Sequence, residues 1–190
     1  MVYWNLIFRY QSLSEGFIRE FKDKVNWENI SSYQILSEDF IREFQDKVDW
    51  DYISEYQKLS EEFIRGFKDK VNWDWISMNQ TLSEDFICEF QDKVEWVCIS
   101  KYQKLSEKFM RKFKDKVYWN LIFRYQSLSE DFIREFQDKV DWREVSRHQN
   151  LSVEFLKEFK DKIYINIYRE THKVRTLKKC KMEMKECAKK

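Results

Sequence analysis

Proline is absent from the 190 residues, and glycine occurs only at Gly16 and Gly66. Sandwiches and barrels need many tight turns, which these two residue types usually supply, so the composition excludes an all-β fold. No apolar run approaches the ~20 residues that a membrane-spanning helix requires. The sequence therefore favours a helical fold and predicts no transmembrane segment.

Cysteine is scarce and follows no pairing pattern. The N-terminal residues also lack the basic and apolar segments of a secretory signal peptide. These two absences predict free thiols in a reducing compartment and a cytoplasmic location. We expect Cys88 and Cys98 to be incidental surface thiols.

No catalytic, metal-binding or cofactor-binding motif stands out. The only histidines are His148 and His172, and the chain has no Cys-x-x-Cys pair, glycine-rich phosphate loop or nucleophile motif. Carboxylates are numerous, but they recur at regular positions, so no pair is marked for acid–base catalysis. The sequence predicts a protein that is not an enzyme and carries no cofactor.

What the chain has instead is a 23-residue repeat that occurs seven times between residues 2 and 162. Its consensus is V-x-W-x-x-I-S-x-Y-Q-x-L-S-E-x-F-I-R-E-F-x-D-K, and we number these positions 1 to 23. A fixed period of 20–50 residues is typical of stacked repeats in which each repeat contacts its neighbours. Tryptophan occupies position 3 in every copy: Trp4, Trp27, Trp50, Trp73, Trp96, Trp119 and Trp142.

Each repeat is predicted to form two short helices, at about positions 3–10 and 14–22. Ser at position 13 is invariant and suits an N-cap, and position 2 holds the caps Asn26, Asp49, Asn72 and Asp141 in four copies. Positions 18 and 22, and 19 and 23, have the spacing of helical ion pairs. Helices this short are marginal alone, so the Trp, Ile and Phe positions must stack into a shared core. The sequence predicts an all-α solenoid of stacked two-helix repeats.

Residues 163–190 depart from the repeat. Ile163 and Tyr168 continue an eighth first helix, as expected of a capping half-repeat. Apolar residues then recur with 3-4-3 spacing from Leu177 to Cys187, which predicts a basic C-terminal capping helix. This helix packs on the last repeat or anchors the protein to an acidic partner, nucleic acid or a membrane surface. The candidate anchor residues are Lys178, Lys179, Lys181 and Lys185.

Comparison of the seven copies separates invariant from variable positions. Positions 3, 10, 12, 13, 16, 20, 22 and 23 do not vary, whereas positions 4, 5, 8, 11 and 15 vary freely. Positions 4, 8 and 11 share one helical face. This face is either a solvated surface under little constraint or a surface that binds a partner. The candidate partner-binding residues are Arg9, Ser32, Tyr52, Glu55, Trp75, Met78, Lys101, Arg124, Arg143 and Arg147.

Two polar residue types recur at fixed positions next to this face, and we call each of the two sets a ladder. Gln at position 10 is present in all seven repeats, so it cannot encode a nucleotide sequence, and we expect it to bond backbone groups in the interhelix turn. Tyr at position 9, present in five repeats, could stack on bases, but packing or an interface is favoured. The repeats carry more acidic than basic residues, which opposes phosphate binding.

The consensus V-N/D-W-x-x-I-S-x-x-Q-x-L-S-E-x-F-I-R-E-F-x-D-K resembles short tandem repeats in proteins of giant DNA viruses of amoebae, the mimivirus-like group. The resemblance covers residues 2–162 and excludes residues 163–190. It implies a viral repeat protein of the host cytoplasm or the virion. It transfers no functional residue.

These patterns predict a non-catalytic scaffold for protein interaction or assembly, such as a viral structural or host-interaction protein. Protein partners are expected first, and homo-oligomers are compatible with the pattern. The alternative is a nucleic-acid-binding helical array that uses the basic tail, because residues 163–190 hold nine Lys or Arg against three acids.

Overall fold

The computed structural model describes residues 9–172, and these residues form helices and turns without a strand. Fourteen helices begin and end within this range, two in each repeat from the second helix of repeat 1 onward, which confirms the all-α prediction. They are α1 (Glu15–Glu20), α2 (Trp27–Tyr33), α3 (Glu38–Glu43), α4 (Trp50–Tyr56), α5 (Glu61–Gly66), α6 (Trp73–Asn79), α7 (Glu84–Glu89), α8 (Trp96–Tyr102), α9 (Glu107–Lys112), α10 (Trp119–Tyr125), α11 (Glu130–Glu135), α12 (Trp142–His148), α13 (Val153–Glu158) and α14 (Ile165–Thr171).

The chain divides into two compact units, Met1–Cys98 and Ile99–Lys190. Within the first unit α2 packs on α4 and α4 packs on α6. Within the second unit α10 packs on α12 and α12 packs on α14. In both units, therefore, the first helix of one repeat lies against the first helix of the next, as in a helical solenoid.

Helix starts follow the predicted caps. The hydroxyl of Ser at position 13 accepts the N–H of Phe at position 16 in each of the seven second helices. Asn and Asp at position 2 cap first helices in the same way; Asp49, for example, accepts the N–H groups of Asp51 and Tyr52. Tyr118 stands at this position in repeat 6 and makes no side-chain cap. Side-chain caps therefore mark most helix starts, and α10 begins at the same repeat position without one.

Helix ends differ from the prediction. The second helix stops at position 19 rather than 22, because Phe at position 20 leaves helical geometry and begins a turn. In that turn the Lys47 N–H donates to the Phe44 carbonyl at 2.9 Å, and the Val48 N–H donates to the same oxygen at 3.1 Å. The first helix stops at position 9, since Gln57 at position 10 is extended, with φ −88° and ψ 148°. Positions 20–23 thus direct the chain into the next repeat.

The core consists of Ile at positions 6 and 17 and Phe at position 16, and these side chains have no exposed surface in most described repeats. Tryptophan was expected in this core, but it is only half-buried. The Trp50 ring lies 4.9 Å from the Phe67 ring, and its Nε1 donates to the Gln45 carbonyl at 3.0 Å. The indole therefore covers the core from the solvent side while its polar atom holds the preceding turn.

The Gln ladder, defined by position 10, joins neighbouring repeats within each unit. Gln57 accepts the Leu36 N–H at 3.0 Å and donates to the carbonyls of Gln34 at 2.7 Å and Ser31 at 3.2 Å. Gln80, Gln126 and Gln149 repeat this arrangement on the repeats that precede them. The predicted structural role of this glutamine is confirmed, and its partners belong to the preceding repeat.

The last repeat is closed by a different residue. The Tyr168 hydroxyl accepts the Leu151 N–H at 3.3 Å and donates to the Leu151 carbonyl at 3.1 Å. His172, which stands where a ladder glutamine would be, stacks on the Tyr168 ring at 4.2 Å. Helix α14 thus satisfies the open end of the ladder, as a cap must. Lys178, Lys179, Lys181 and Lys185 lie outside the described residues.

Charged side chains join neighbouring repeats, and Arg at position 18 also pairs with Glu at position 14 of its own helix, as Arg19 does with Glu15 at 3.5 Å. Arg19 at position 18 pairs with Glu43 at position 19 of the next repeat at 2.7 Å. Lys70 at position 23 pairs with Asp46 at position 22 of the preceding repeat at 3.2 Å. The predicted pairs within one helix are wrong, because the helix ends at position 19 and positions 22 and 23 lie in the turn.

One junction departs from the pattern. Ser54 at position 7 accepts the N–H of Asn72, which begins the next repeat, at 2.9 Å. Phe123 occupies position 7 in repeat 6, is fully buried and has no acceptor to offer. At the following turn, the hydrogen bond from the Val140 N–H to the Phe136 carbonyl is missing, although the equivalent Val117 N–H bonds Phe113 at 3.0 Å. Fewer hydrogen bonds therefore hold the entry to repeat 7 than the entry to repeat 6, where Ser100 accepts the Tyr118 N–H at 2.9 Å.

Hydrogen exchange should report this difference. We expect the Val140 amide to exchange at least about tenfold faster than the Val117 amide, because exchange of an unbonded N–H needs no local opening. Residue-resolved exchange measured by NMR at one pH provides the comparison. Equal protection at the two valines would contradict the missing hydrogen bond at Val140.

No helix among residues 9–172 is both long enough and apolar enough to cross a membrane.

Candidate interaction surface

The variable positions 4, 5 and 8 lie on the first helices, and position 11 lies in the interhelix turn that follows. Positions 4 and 11 are exposed in every described repeat, whereas position 5 lies deeper. We call positions 4, 5, 8 and 11 the variable face. Of the predicted partner-binding residues, the structure exposes Arg9, Arg124 and Arg143 and leaves Ser32, Tyr52, Glu55, Trp75, Met78, Lys101 and Arg147 half-buried.

In the first unit, polar contacts run along this face from repeat to repeat. The Tyr52 hydroxyl donates to Glu28 at 3.4 Å, and the negative charge of Glu28 raises the pKa of Tyr52. The Asn72 side-chain amide donates to Asp51 at 2.8 Å. These carboxylates are held by neutral donors, so their negative charges remain on the surface.

A groove with apolar walls opens between repeats 2 and 3. It has a volume of about 530 Å³ and is lined by Tyr33, Ile35 and Tyr56, with Lys58 at its margin. Ile35 is 93% exposed, and together with Tyr33 and Tyr56 it forms a cluster of exposed large apolar side chains. Tyr33, Ile35 and Tyr56 are not among the partner-binding residues predicted from the sequence. The signal was present, since Ile35 is the one apolar residue at position 11.

The equivalent groove between repeats 5 and 6 is basic. It measures about 300 Å³ and is lined by Lys101, Tyr102, Lys104 and Tyr125. The Lys101 ammonium lies 4.6 Å from the Tyr102 ring centre and 5.5 Å from that of Tyr125. A hydrogen bond with Tyr102 raises the pKa of Lys101 above its ordinary value. The same backbone framework thus presents different chemistry in the two units.

Repeats 6 and 7 share one partly buried carboxylate. Glu144 at position 5 lies 3.8 Å from Arg124, 4.0 Å from Arg147 and 3.3 Å from His148. Its Oε2 atom is buried and has no well-aligned hydrogen bond, so the two arginines stabilise the carboxylate by charge, and His148 does so only when it is protonated. Burial lowers the pKa of His148, and the two arginines lower it further, whereas Glu144 raises it.

This cluster predicts a pH effect on stability. The folded protein holds the His148 proton less tightly than the unfolded chain, so the free energy of unfolding should fall as pH drops below about 6.5. His148→Asn, which copies Asn79 of repeat 4, removes this contribution. Urea unfolding at about pH 7.5 and about pH 5.5 should show a smaller acid loss in the variant. An equal loss in both proteins would exclude His148 as its source.

Cysteine placement corrects one prediction. Cys98 is buried and Cys88 is half-buried, so neither is the surface thiol expected from the sequence. Cys98 fills position 5 of repeat 5, where the half-buried side of the variable face begins. Within residues 9–172, no group of three or more His, Cys, Asp or Glu side chains is placed to hold a metal ion.

The fold and surface define a helical-repeat protein of the solenoid class. No protein-family model, curated protein or solved structure matches the chain. The resemblance to repeat proteins of giant viruses therefore stays a prediction from the sequence.

Proposed function

We propose that this protein is a non-catalytic scaffold for protein interaction or assembly, and that the variable face binds its partners. One observation carries the proposal. The invariant glutamine, serine and phenylalanine side chains are engaged in contacts within and between repeats, whereas positions 4 and 11 remain exposed and differ from repeat to repeat. A repeat array that presents varied side chains on a constant frame is suited to recognition.

Exposed apolar groups favour recognition over a merely solvated face. Tyr33, Ile35 and Tyr56 all expose large apolar side chains around one groove. Contiguous apolar surface on a soluble fold marks interaction sites more often than scattered single residues do. Aromatic side chains are also enriched at the centres of protein interfaces.

A matched pair of variants tests this proposal. The face variant carries Tyr33→Ser, Ile35→Ser and Tyr56→Ser, and the control carries Tyr118→Asn and Tyr164→Asn, which remove exposed tyrosines at position 2 instead. Each tagged protein is expressed in the source cells, and co-purified proteins are quantified by mass spectrometry. We expect a reproducible partner with the wild type and the control that is lost with the face variant. Equal recovery with both variants would contradict a partner site at this groove.

The resemblance stated from the sequence supports a viral structural or host-interaction protein as the form of this scaffold. Immunogold labelling of infected cells would test it, and label on virions or in the host cytoplasm is the expected result. Label confined to another compartment would contradict this form of the scaffold.

Nucleic-acid binding through the tail is the second candidate, because residues 163–190 carry nine basic residues against three acids. A chain ending at residue 172 keeps the Tyr168 cap and removes most of that charge. Binding of a labelled oligonucleotide that weakens with salt and disappears in the shortened chain would support this candidate. Binding that survives the truncation would rule out the tail as its source.

A further inference from the structure

Charge on the variable face is segregated along the chain. At positions 4, 5, 8 and 11, repeats 2 to 4 hold four acids and one lysine, whereas repeats 5 to 7 hold five cations and one acid, Glu144. The acidic patch is Glu28, Asp51, Glu55 and Asp74. The basic patch is Lys101, Lys104, Arg124, Arg143 and Arg147.

Neither patch is neutralised within its own unit. Among the described residues, Glu28, Asp51 and Asp74 form no ion pair, and the first two bond the neutral groups of Tyr52 and Asn72. Lys58 is the one cation at positions 4, 5, 8 and 11 of repeats 2 to 4, so four carboxylates outnumber it and repel each other.

The basic patch carries an excess of positive charge. Arg124 and Arg147 share the single carboxylate of Glu144, while Lys104 and Arg143 are exposed and form no ion pair among the described residues. The acidic patch therefore keeps an excess of negative charge, and the basic patch keeps an excess of positive charge.

We infer that the partner of the basic patch is the acidic patch of a second copy of this chain. This inference rests on the proposed function and names the occupant of the variable face. Every copy carries both patches, so the acidic patch of one copy can meet the basic patch of another, as complementary surfaces of a homo-oligomer do. Complementary potentials of this kind speed encounter and select the partner.

A nucleic acid fits the same patch less well. Lys101 lies over the rings of Tyr102 and Tyr125, and Arg124 lies 5.2 Å from the Tyr125 ring centre, so cations already use faces on which bases would stack. The acidic patch of the same molecule would also repel a polyphosphate chain. A protein surface rich in carboxylates meets neither obstacle.

Sedimentation over a wide concentration range tests the association. In about 0.05 M NaCl the mean mass should rise with concentration towards that of two copies. In about 0.5 M NaCl screening should weaken the association roughly tenfold or more. A wild-type protein that stays monomeric at the highest concentration in low salt would overturn the inference.

Charge-swap variants identify the surfaces. The first variant carries Lys101→Glu, Lys104→Glu and Arg143→Glu, which spare the arginines that hold Glu144. The second carries Glu28→Lys, Asp51→Lys and Asp74→Lys. Each variant alone should be monomeric, and an equimolar mixture should associate, because each reversed patch then meets its opposite. The control carries Lys114→Glu, Lys139→Glu and Lys160→Glu, which reverse the charge of three exposed lysines. It should behave as the wild type.

Thermal melting by circular dichroism verifies that all variants are folded. The inference would be overturned if each triple variant by itself still associated. It would also be overturned if the equimolar mixture of the two variants stayed monomeric. A monomeric wild type that binds a labelled single strand through the basic patch would overturn it as well. The scaffold proposal is tested separately, because its groove variant changes Tyr33, Ile35 and Tyr56 and leaves both patches intact.

Discussion

Phe63→Ala is expected to lower the free energy of unfolding by about 3–5 kcal/mol. The Phe63 ring has no exposed surface, lies 4.7 Å from the Phe67 ring, and is covered by the Arg42 guanidinium of the preceding repeat at 4.8 Å. Truncation therefore removes apolar contacts within repeat 3 and across its junction with repeat 2. Short helices have little stability of their own, so the lost packing has no local substitute.

Urea unfolding followed by circular dichroism measures this loss. Tyr56→Ala is the matched control, because Tyr56 is an aromatic residue of the same repeat that is largely exposed. We expect the control to cost less than about 1 kcal/mol. A similar cost for both variants would mean that position 16 is not the centre of the core.

Gln57→Ala is expected to cost about 2–4 kcal/mol, because it leaves buried backbone groups of the preceding repeat without partners. The Leu36 N–H and the carbonyls of Gln34 and Ser31 all bond the Gln57 side chain. Each unpaired buried group costs about 1–3 kcal/mol, and partial access of water to the interhelix turn reduces the sum.

Two further variants distinguish the hydrogen bonds from simple loss of volume. Gln11→Ala changes the same ladder position where the side chain is exposed, and we expect an effect below about 0.5 kcal/mol. Gln57→Glu keeps the acceptor for Leu36 but loses the amide donor and buries a charge, so it should be at least as harmful as Gln57→Ala. Equal stability of the Gln11 and Gln57 alanine variants would contradict the structural role of the ladder.

Local signals made much of the fold predictable. Ser60 occupies a position that is invariant in all seven repeats and precedes two acids, and it caps its helix as such a residue should. The role of Gln57 was predictable in kind, since an invariant polar residue in a repeat cannot discriminate between partners. The particular carbonyl groups that Gln57 bonds were not predictable, because they belong to another repeat.

Two predictions from the sequence were wrong, the ion pair between positions 18 and 22 and the deep burial of tryptophan, and both assumed tertiary features from a local pattern. The pairing expected between positions 18 and 22 assumes that the helix continues, and the turn that begins at Phe44 ends it. The deep burial expected of Trp50 assumes that an invariant aromatic residue fills the core, but its indole N–H bonds the Gln45 carbonyl and keeps the ring at the edge. N-caps and apolar periodicity indicate where a helix begins and which of its faces is apolar. They carry less information about how deeply an aromatic ring is buried.

The sequence by itself determined the repeat, the number and starts of its helices, and the division into invariant and variable positions. These features follow from caps and spacings that act over a few residues. The tertiary structure decided which residue each invariant side chain contacts, since Gln57 reaches Gln34, 23 residues away, and Arg19 reaches Glu43, 24 residues away. It also decided that Tyr33, Ile35 and Tyr56 border one groove, because only stacking of one repeat on the next brings their side chains together.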